Sequence, residues 1–347
     1  MSDPLTASPS GPVCGPLPTL PPLLEIDGLR TWFQTGAGMA KAVDDVSLSL
    51  AQGEALAVVG ESGCGKTVLA LSILGLVQPP GRLAGGRILF QGKDLAAMPE
   101  SELRKVRGDK ISMIFQEPMT SLNPVLTVGD QVAEAIRLHR KKSRREALAQ
   151  SAEMLKLVGI PDPVRRLSNY PHELSGGMRQ RVMIAMALAL SPALLIADEP
   201  TTALDVTIQK QILDLMLSLS RSQGAAIILI THNLGVVAET CENAAVMYSG
   251  KLVEYAPVPA LFREPLHPYT KGLLRSLPKI GHENEPLTPI PGMVPSLTDL
   301  PEGCHFRPRC LRAFDKCLAP PPLFPLEDGR LARCWLYEES HAPHSGI

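Results

Sequence analysis

Gly60-Glu61-Ser62-Gly63-Cys64-Gly65-Lys66-Thr67 decides how the rest of this chain is read. The stretch fits G-x-x-x-x-G-K-[ST], a loop whose backbone N–H groups cradle phosphates. Its glycines carry no Cβ and tolerate positive φ, so the main chain can close round an anion. The apolar run Ala55–Val59 before it reads as a short strand. Val68–Leu74 after it reads as the start of a helix, whose positive dipole end adds to the attraction. On this reading the backbone from Gly60 through Ser62, Gly63, Cys64 and Gly65 to Val68 points N–H groups at the phosphates. Lys66 reaches the β- and γ-phosphates, and Thr67 offers a hydroxyl to Mg²⁺. Cys64 is expected to lend only its N–H, and a thiol reagent there to block nucleotide by bulk.

Outward from the loop, the length of 347 residues suggests two domains, and a 45% hydrophobic share is ample for a large core. The net charge of −1 gives no global attraction to nucleic acid or anionic lipid. No apolar run reaches the ~18–20 residues of a membrane helix; the nearest, Val182–Ala197, is broken by Ser191-Pro192. The N-terminus lacks a basic region followed by an apolar core, so no secretory signal is expected. The chain is therefore expected in the cytosol, with any membrane role exerted through partners. Seven cysteines in such a chain are not expected to form structural disulfides.

Residues 1–22, rich in Pro, Ser and Gly, read as a disordered leader. Strands are expected at Leu23–Ile26, Ala42–Leu50 and Gly85–Phe90. Ile111–Phe115 reads as a buried strand ending at Gln116. Helices are expected over Thr127–Arg140 and Arg144–Val158, each with apolar residues on one face, the second stopped by Gly159 and Pro161. The basic run His139–Arg145 reads as a solvated helix end. Ser175-Gly176-Gly177 precedes an apolar helix over Met178–Leu190. Ala193–Ala197 and Ala225–Ile230 are continuous apolar runs, the mark of parallel strands buried on both faces; a helix over Val206–Arg221 lies between them. Ser249-Gly250 reads as a hairpin turn. Three strands thus end in polar residues: Gln116, Asp198-Glu199 and Thr231-His232. In a doubly wound sheet ligands sit at the carboxyl ends of the strands. Asp198 is then the holder of Mg²⁺, and Glu199 the group that polarises water for attack on the γ-phosphate.

Together these segments resemble the ATPase subunit of ATP-binding cassette transporters, over roughly residues 23–260. Leu174-Ser175-Gly176-Gly177-Met178-Arg179-Gln180 resembles that family's signature. Ala203-Leu204-Asp205 resembles its D-loop, Gln116 its Q-loop glutamine and His232 its switch histidine. The resemblance implies an α/β fold: a P-loop NTPase core with an antiparallel β subdomain, an inserted helical subdomain over about 117–190, and a small Cys/Pro-rich appendage over 261–347. It implies that Phe33 stacks on adenine, with Trp32 the second choice. It implies that Gln116 joins Thr67 and Asp198 around Mg²⁺. It also implies a head-to-tail dimer in which Ser175, Gly176 and Gly177 complete the partner's ATP site, and it places Asp205 among the nucleotide-binding residues. Glu199, His232 and Gln116 are the expected catalytic set.

Gln116-Glu117-Pro118-Met119-Thr120-Ser121-Leu122-Asn123-Pro124, Tyr170-Pro171-His172-Glu173 and Pro265-Leu266-His267-Pro268-Tyr269-Thr270 resemble the peptide-importer branch. Met178 suggests the "D" type subunit, whose usual partner is an "F" type ATPase. The branch implies two permeases and an extracytoplasmic solute-binding protein, with this chain on the cytoplasmic face of the inner membrane. Nickel importers share the pattern. From other classes, a soluble cassette ATPase acting on ribosomes or DNA and an iron–sulfur sensor compete. Cys304, Cys310, Cys317 and Cys334 are spaced C-x5-C, C-x6-C and C-x16-C, which fits neither zinc ribbons nor ferredoxins. Four in a short window suggest thiolate ligation of one metal, with Arg307, Arg309, Arg312 and Arg333 lowering the thiol pKa values. The branch resemblance implies a [4Fe–4S] cluster; free thiols and zinc stay open. Cys14 and Cys241 read as incidental.

Overall fold

Continuous aliphatic runs and alternating ones build different sheets here. The computed structural model describes residues 21–116, 121–201, 206–277, 289–326 and 328–338. Most of the leader, Glu117–Thr120, Ala203–Leu204 and Asp205 therefore lie outside the described residues. The chain divides into two compact units, one of residues 1–50, 59–96 and 243–347, the other of residues 51–58 and 97–242.

In the second unit, Ala55–Val58 pairs in parallel with Ala226–Ile230, that strand with Leu194–Asp198, and that with Ile111–Ile114. Every residue of Leu194–Asp198 and of Ala226–Ile230 is buried, as strands covered on both faces must be. Helices Val128–Arg140, Arg144–Leu157, Gly176–Leu188 and Val206–Ser222 supply most of the remaining apolar surface. Val132, Ile136, Leu155, Val182, Leu188 and Ile212 are all fully buried in one core with strand residues Leu195 and Leu229. Each such side chain stabilises by about 1.5–3 kcal/mol relative to exposure. Local sequence sets the helix starts. Thr127 accepts from Asp130 N, and Ser143 forms a capping box with Glu146. The helix expected at Met178 begins at Gly176, because Ser175 is the N-cap and its hydroxyl accepts from Met178 N.

In the first unit, an antiparallel sheet runs in the order Gly38–Leu50, Leu24–Thr35, Gly81–Phe90, Lys93–Asp94. Its first two strands are longer than expected, 13 and 12 residues. Register shifts between Ile26 and Leu29 and between Thr31 and Phe33 break the period-2 pattern that would have revealed them. A second antiparallel group runs Asn243–Tyr248, Lys251–Pro257, Leu331–Ala332, Phe324–Pro325. The expected division at 260 is therefore not a division in packing. Leu331 and Ala332 pair with Tyr255 and Glu254, 76 and 78 residues earlier, and two-residue strands carry no readable period. The C-terminal segment shares an aromatic core with the hairpin: the Phe306 ring lies 5.2 Å from Tyr248 and 5.5 Å from Tyr269.

Candidate nucleotide site

The site residues fall into two groups, one in each unit. In the first unit the loop adopts the backbone its glycines were read for. Gly60, Gly63 and Gly65 have φ of 152°, 78° and 105°. A Cβ on Gly60 would lie 2.2 Å from the Met247 carbonyl oxygen, and one on Gly65 2.0 Å from that of Ala42. The loop thus has strands directly behind it, and only glycine fits. Lys66 is buried, and its ammonium donates to the carbonyls of Gly60 (2.9 Å) and Glu61 (3.0 Å). Ser62, Gly63 and Thr67 are exposed, and Val68 is half-buried. The helix expected from Val68 starts at Lys66, with Gly65 in the left-handed N-cap position. Phe33 is half-buried against Gly81; Trp32 lies under the Lys41 ammonium, 5.3 Å from its ring centroid.

Cys64 corrects an expectation. Its thiol is fully buried, and desolvation pushes its pKa up despite the nearby Lys66. A buried neutral thiol is a poor nucleophile. Mapping alkylated peptides by mass spectrometry at pH 8 should find Cys64 unmodified in the folded chain and modified only after denaturation. Rapid native labelling would contradict this placement.

In the second unit three strand ends meet. Glu199 follows Leu194–Asp198 directly, with φ of 44° and its N–H bonded to the Ile230 carbonyl at 2.9 Å. That left-handed turn carries its carboxylate off the strand axis. One oxygen accepts from Gln116 Nε2 at 3.0 Å, and the other meets His232 Nδ1 at 3.1 Å. A carboxylate only accepts, so His232 carries its proton on Nδ1 in this contact. The Glu199 side chain is 15% exposed and the His232 side chain 64%. Asp198 is buried at the strand end. Gln116, Glu199 and His232 are thereby brought together, and the arrangement can orient a water and accept its proton. Ser175, Gly176 and Gly177 form the N-terminal turn of their helix, whose Gln180 amide donates to the Pro200 carbonyl.

The four C-terminal cysteines line one cavity of about 10 Å³, room for roughly one water. Among the described residues no group of three or more His, Cys, Asp or Glu is arranged to hold a metal ion. Burial outweighs the expected arginine effect: it pushes the Cys304 thiol up, the Cys310 thiol up despite the nearby Arg312 charge, and Cys334 up to about 11. Arg309 and Arg333 are engaged elsewhere, with the carboxylates of Glu61 and Asp45. The His-Pro-Tyr segment makes contacts that its residue types alone do not announce. The fully buried Glu254 carboxylate accepts from Leu266 N and His267 N, both at 2.8 Å, and the Tyr269 hydroxyl accepts from Glu61 N at 2.8 Å.

His267 caps its helix, its Nδ1 accepting from Tyr269 N at 3.0 Å, and its ring also bonds the Arg333 carbonyl. Burial lowers its pKa to about 3. The unfolded chain takes up that proton near pH 6.5, the folded chain only near 3. Stability is therefore full above pH 6.5 and falls on acidification, by on the order of 1 kcal/mol per pH unit. His267→Asn, which keeps a capping acceptor, should flatten that dependence. Urea midpoints at pH 7 and pH 5 would check it; an unchanged slope would contradict the assignment.

Comparison with known proteins identifies the family. The ABC transporter family matches residues 43–202, and the oligopeptide/dipeptide transporter C-terminal region matches residues 253–317. The chain is 51% identical to the oligopeptide transport ATP-binding protein AppD of Bacillus subtilis, over 93% of this chain and 99% of that one. It is 48% identical to the oligopeptide transport ATP-binding protein OppD of Haemophilus influenzae, over 92% and 98%. Among solved structures, a dimeric ATP-binding cassette bound to ADP and Pi aligns with a TM-score of 0.61 at 27% identity, covering 68% of this chain and 98% of that one. The structure of cbiO1 from Clostridium perfringens aligns with a TM-score of 0.59 at 27% identity, covering 70% and 91%. A glycine loop that only glycine can build and a carboxylate held by the ends of two neighbouring strands are what a nucleotide hydrolase needs, and the chain belongs to the ABC transporter family of ATPases, in the branch that carries the oligopeptide/dipeptide transporter C-terminal region.

Proposed function

We propose that this chain is the ATP-hydrolysing subunit of a di- or oligopeptide importer. The observation that carries the catalytic part is the Glu199 carboxylate held between Gln116 and His232. Lys66 and the N–H groups of the loop bind the phosphates, and Phe33 stacks on the adenine. Thr67, Asp198 and Gln116 would hold Mg²⁺, each with the kind of hard oxygen donor that this ion prefers. Mg²⁺ supplies charge neutralisation at the phosphates. Glu199 accepts the proton of the attacking water, and His232 holds that carboxylate in place. Ser175, Gly176 and Gly177 serve the ATP of a second, "F" type subunit, and Asp205 contributes to nucleotide binding. A cassette pair that closes on ATP and opens after hydrolysis is a two-state device biased by the γ-phosphate.

The permease contact is assigned to residues 117–135, of which Gln131 and Glu134 line a groove of about 290 Å³ in the second unit beside Phe115, Leu138 and Met183. Phe115 and Leu138 are 43% and 72% exposed there, apolar surface suited to a partner helix. No helix among the described residues is long and apolar enough to cross a membrane, so attachment at the cytoplasmic face would run through the permeases. A tagged pull-down from solubilised membranes, read by mass spectrometry, tests the reading. Two permeases, a second ATPase and an extracytoplasmic binding protein support it. A nickel-binding protein in that set would change the solute, and ribosomal or DNA-repair proteins in its place would overturn import.

The four cysteines are assigned to metal, with the [4Fe–4S] cluster as the group. The support is their convergence on one cavity. A cavity of about 10 Å³ is too small for that group as the thiols stand, so binding requires them to deprotonate and part. Anaerobically prepared protein without iron and without absorption near 400 nm would end this assignment.

A further inference from the structure

Glu61, the second residue of the phosphate loop, is held from three directions. Its N–H donates to the Tyr269 hydroxyl at 2.8 Å. Its carbonyl accepts from Lys66 Nζ at 3.0 Å. Its carboxylate receives both terminal nitrogens of Arg309, at 2.7 and 3.1 Å. Arg309 is fixed in turn. Its side chain is 4% exposed, its Nε donates to the Pro291 carbonyl at 2.9 Å, and its guanidinium lies 5.8 Å over the Tyr248 ring. Tyr269 packs 4.6 Å from Tyr248 and is fully buried. These partners lie about 200 and 250 residues from the loop they grip.

The geometry has a direct chemical consequence. A planar guanidinium on a carboxylate fixes orientation as well as distance, which a lysine ammonium would not do. The carbonyls of Gly60 and Glu61 both hold the Lys66 ammonium, so the peptide unit that Arg309 and Tyr269 orient also sets where that charge stands. Phosphate recognition demands donors within about 0.5 Å of their working positions. A loop of exposed glycine and serine has little packing of its own at Ser62 and Gly63 to supply that rigidity. The C-terminal segment supplies it from behind.

We propose that Arg309 is a positioning residue for the phosphate loop, acting through Glu61 to set the loop's affinity for the diphosphate of a nucleotide. The C-terminal segment is then part of the nucleotide site, although Arg309 touches no nucleotide. This rests on the ATPase reading above. Cys310 follows Arg309 directly, so the thiol cavity and the loop share one rigid connection.

The test is equilibrium binding of Mg–ADP to the full chain, for wild type, Arg309→Met, Arg309→Lys, Glu61→Gln and the Arg309→Met/Glu61→Gln double variant. The expected result is a Kd about tenfold higher for Arg309→Met and for Glu61→Gln, with the double variant no worse than the weaker single. Arg309→Lys should keep the charge and recover only part of the affinity. A purely structural staple would lower the melting temperature and leave the Kd of the folded chain unchanged, and that result overturns the proposal. Additive effects of the two single variants overturn it as well, because the pair would then not act together. If Arg309→Met does not fold, Glu61→Gln decides alone: its side chain is 28% exposed, so its carboxamide remains solvated, and an unchanged Kd is fatal. A wild-type chain that binds no ADP sinks the ATPase reading itself, a different outcome from wild-type binding that Arg309 does not influence.

Discussion

Glu199→Gln should slow ATP hydrolysis by about 10²–10⁴-fold, the range of a lost general base, and leave nucleotide binding intact. The substitution keeps size and backbone. The left-handed φ of 44° and the N–H bond to the Ile230 carbonyl do not depend on the side-chain charge. One oxygen remains to accept from either Gln116 or His232. The new NH₂ can donate to His232 Nδ1 once that ring takes its other tautomer, so both contacts at 3.0 and 3.1 Å can persist with the carbonyl oxygen facing Gln116. What disappears entirely is the capacity to take a proton. The expected product is a chain that binds ATP, pairs with a second cassette and does not turn over. Phosphate release and nucleotide affinity, measured on one preparation, separate these effects. Turnover at the wild-type rate would remove Glu199 from its assigned role.

Gly65→Ala has the largest expected effect on binding. The methyl group would overlap the Ala42 carbonyl at 2.0 Å, and φ of 105° is outside what an L side chain adopts comfortably. Backbone cannot yield as a flexible side chain can, so the loop must leave its position or the strand behind it must move. The conformational term alone costs about 1–2 kcal/mol, and the steric overlap adds to it. Displacing the N–H groups of the cradle should raise the ADP Kd by at least about 100-fold, equivalent to ~2.7 kcal/mol. Gly63→Ala is the control. Its Cβ would meet nothing within 4 Å, so only the φ of 78° opposes it, and a much smaller loss is expected. Equal losses in the two variants would mean that strain rather than the wall behind Gly65 limits the loop. Calorimetric titration with ADP and a melting curve for each variant would decide.

The phosphate loop was legible because everything it needs is contiguous: a strand, the glycines, a lysine and a helix start within 20 residues of chain. The buried parallel strands were legible because continuous aliphatic runs have few other places to go. The first two strands of the antiparallel sheet were under-read, since their register shifts at Ile26, Leu29 and Thr31 erase the alternation. The reactivity expected of Cys64 and the lowered thiol pKa values near Cys310 and Cys334 were both misjudged for one reason. Sequence shows which charges are near along the chain, whereas burial dominates the thiols and packing turns Arg309 and Arg333 to other carboxylates.

The sequence by itself determined the loop, the order of strands and helices that surround it, and the polar residues at the strand ends, because each is written in neighbouring residues. Only the tertiary structure decided that Gln116 and His232 grip opposite oxygens of Glu199, from 83 and 33 residues away. Only it decided that Arg309 holds the phosphate loop across 248 residues. The physical reason is the same in both cases. Periodicity and local propensity act over a few residues, whereas a hydrogen bond between distant side chains exists only once the core has fixed both backbones.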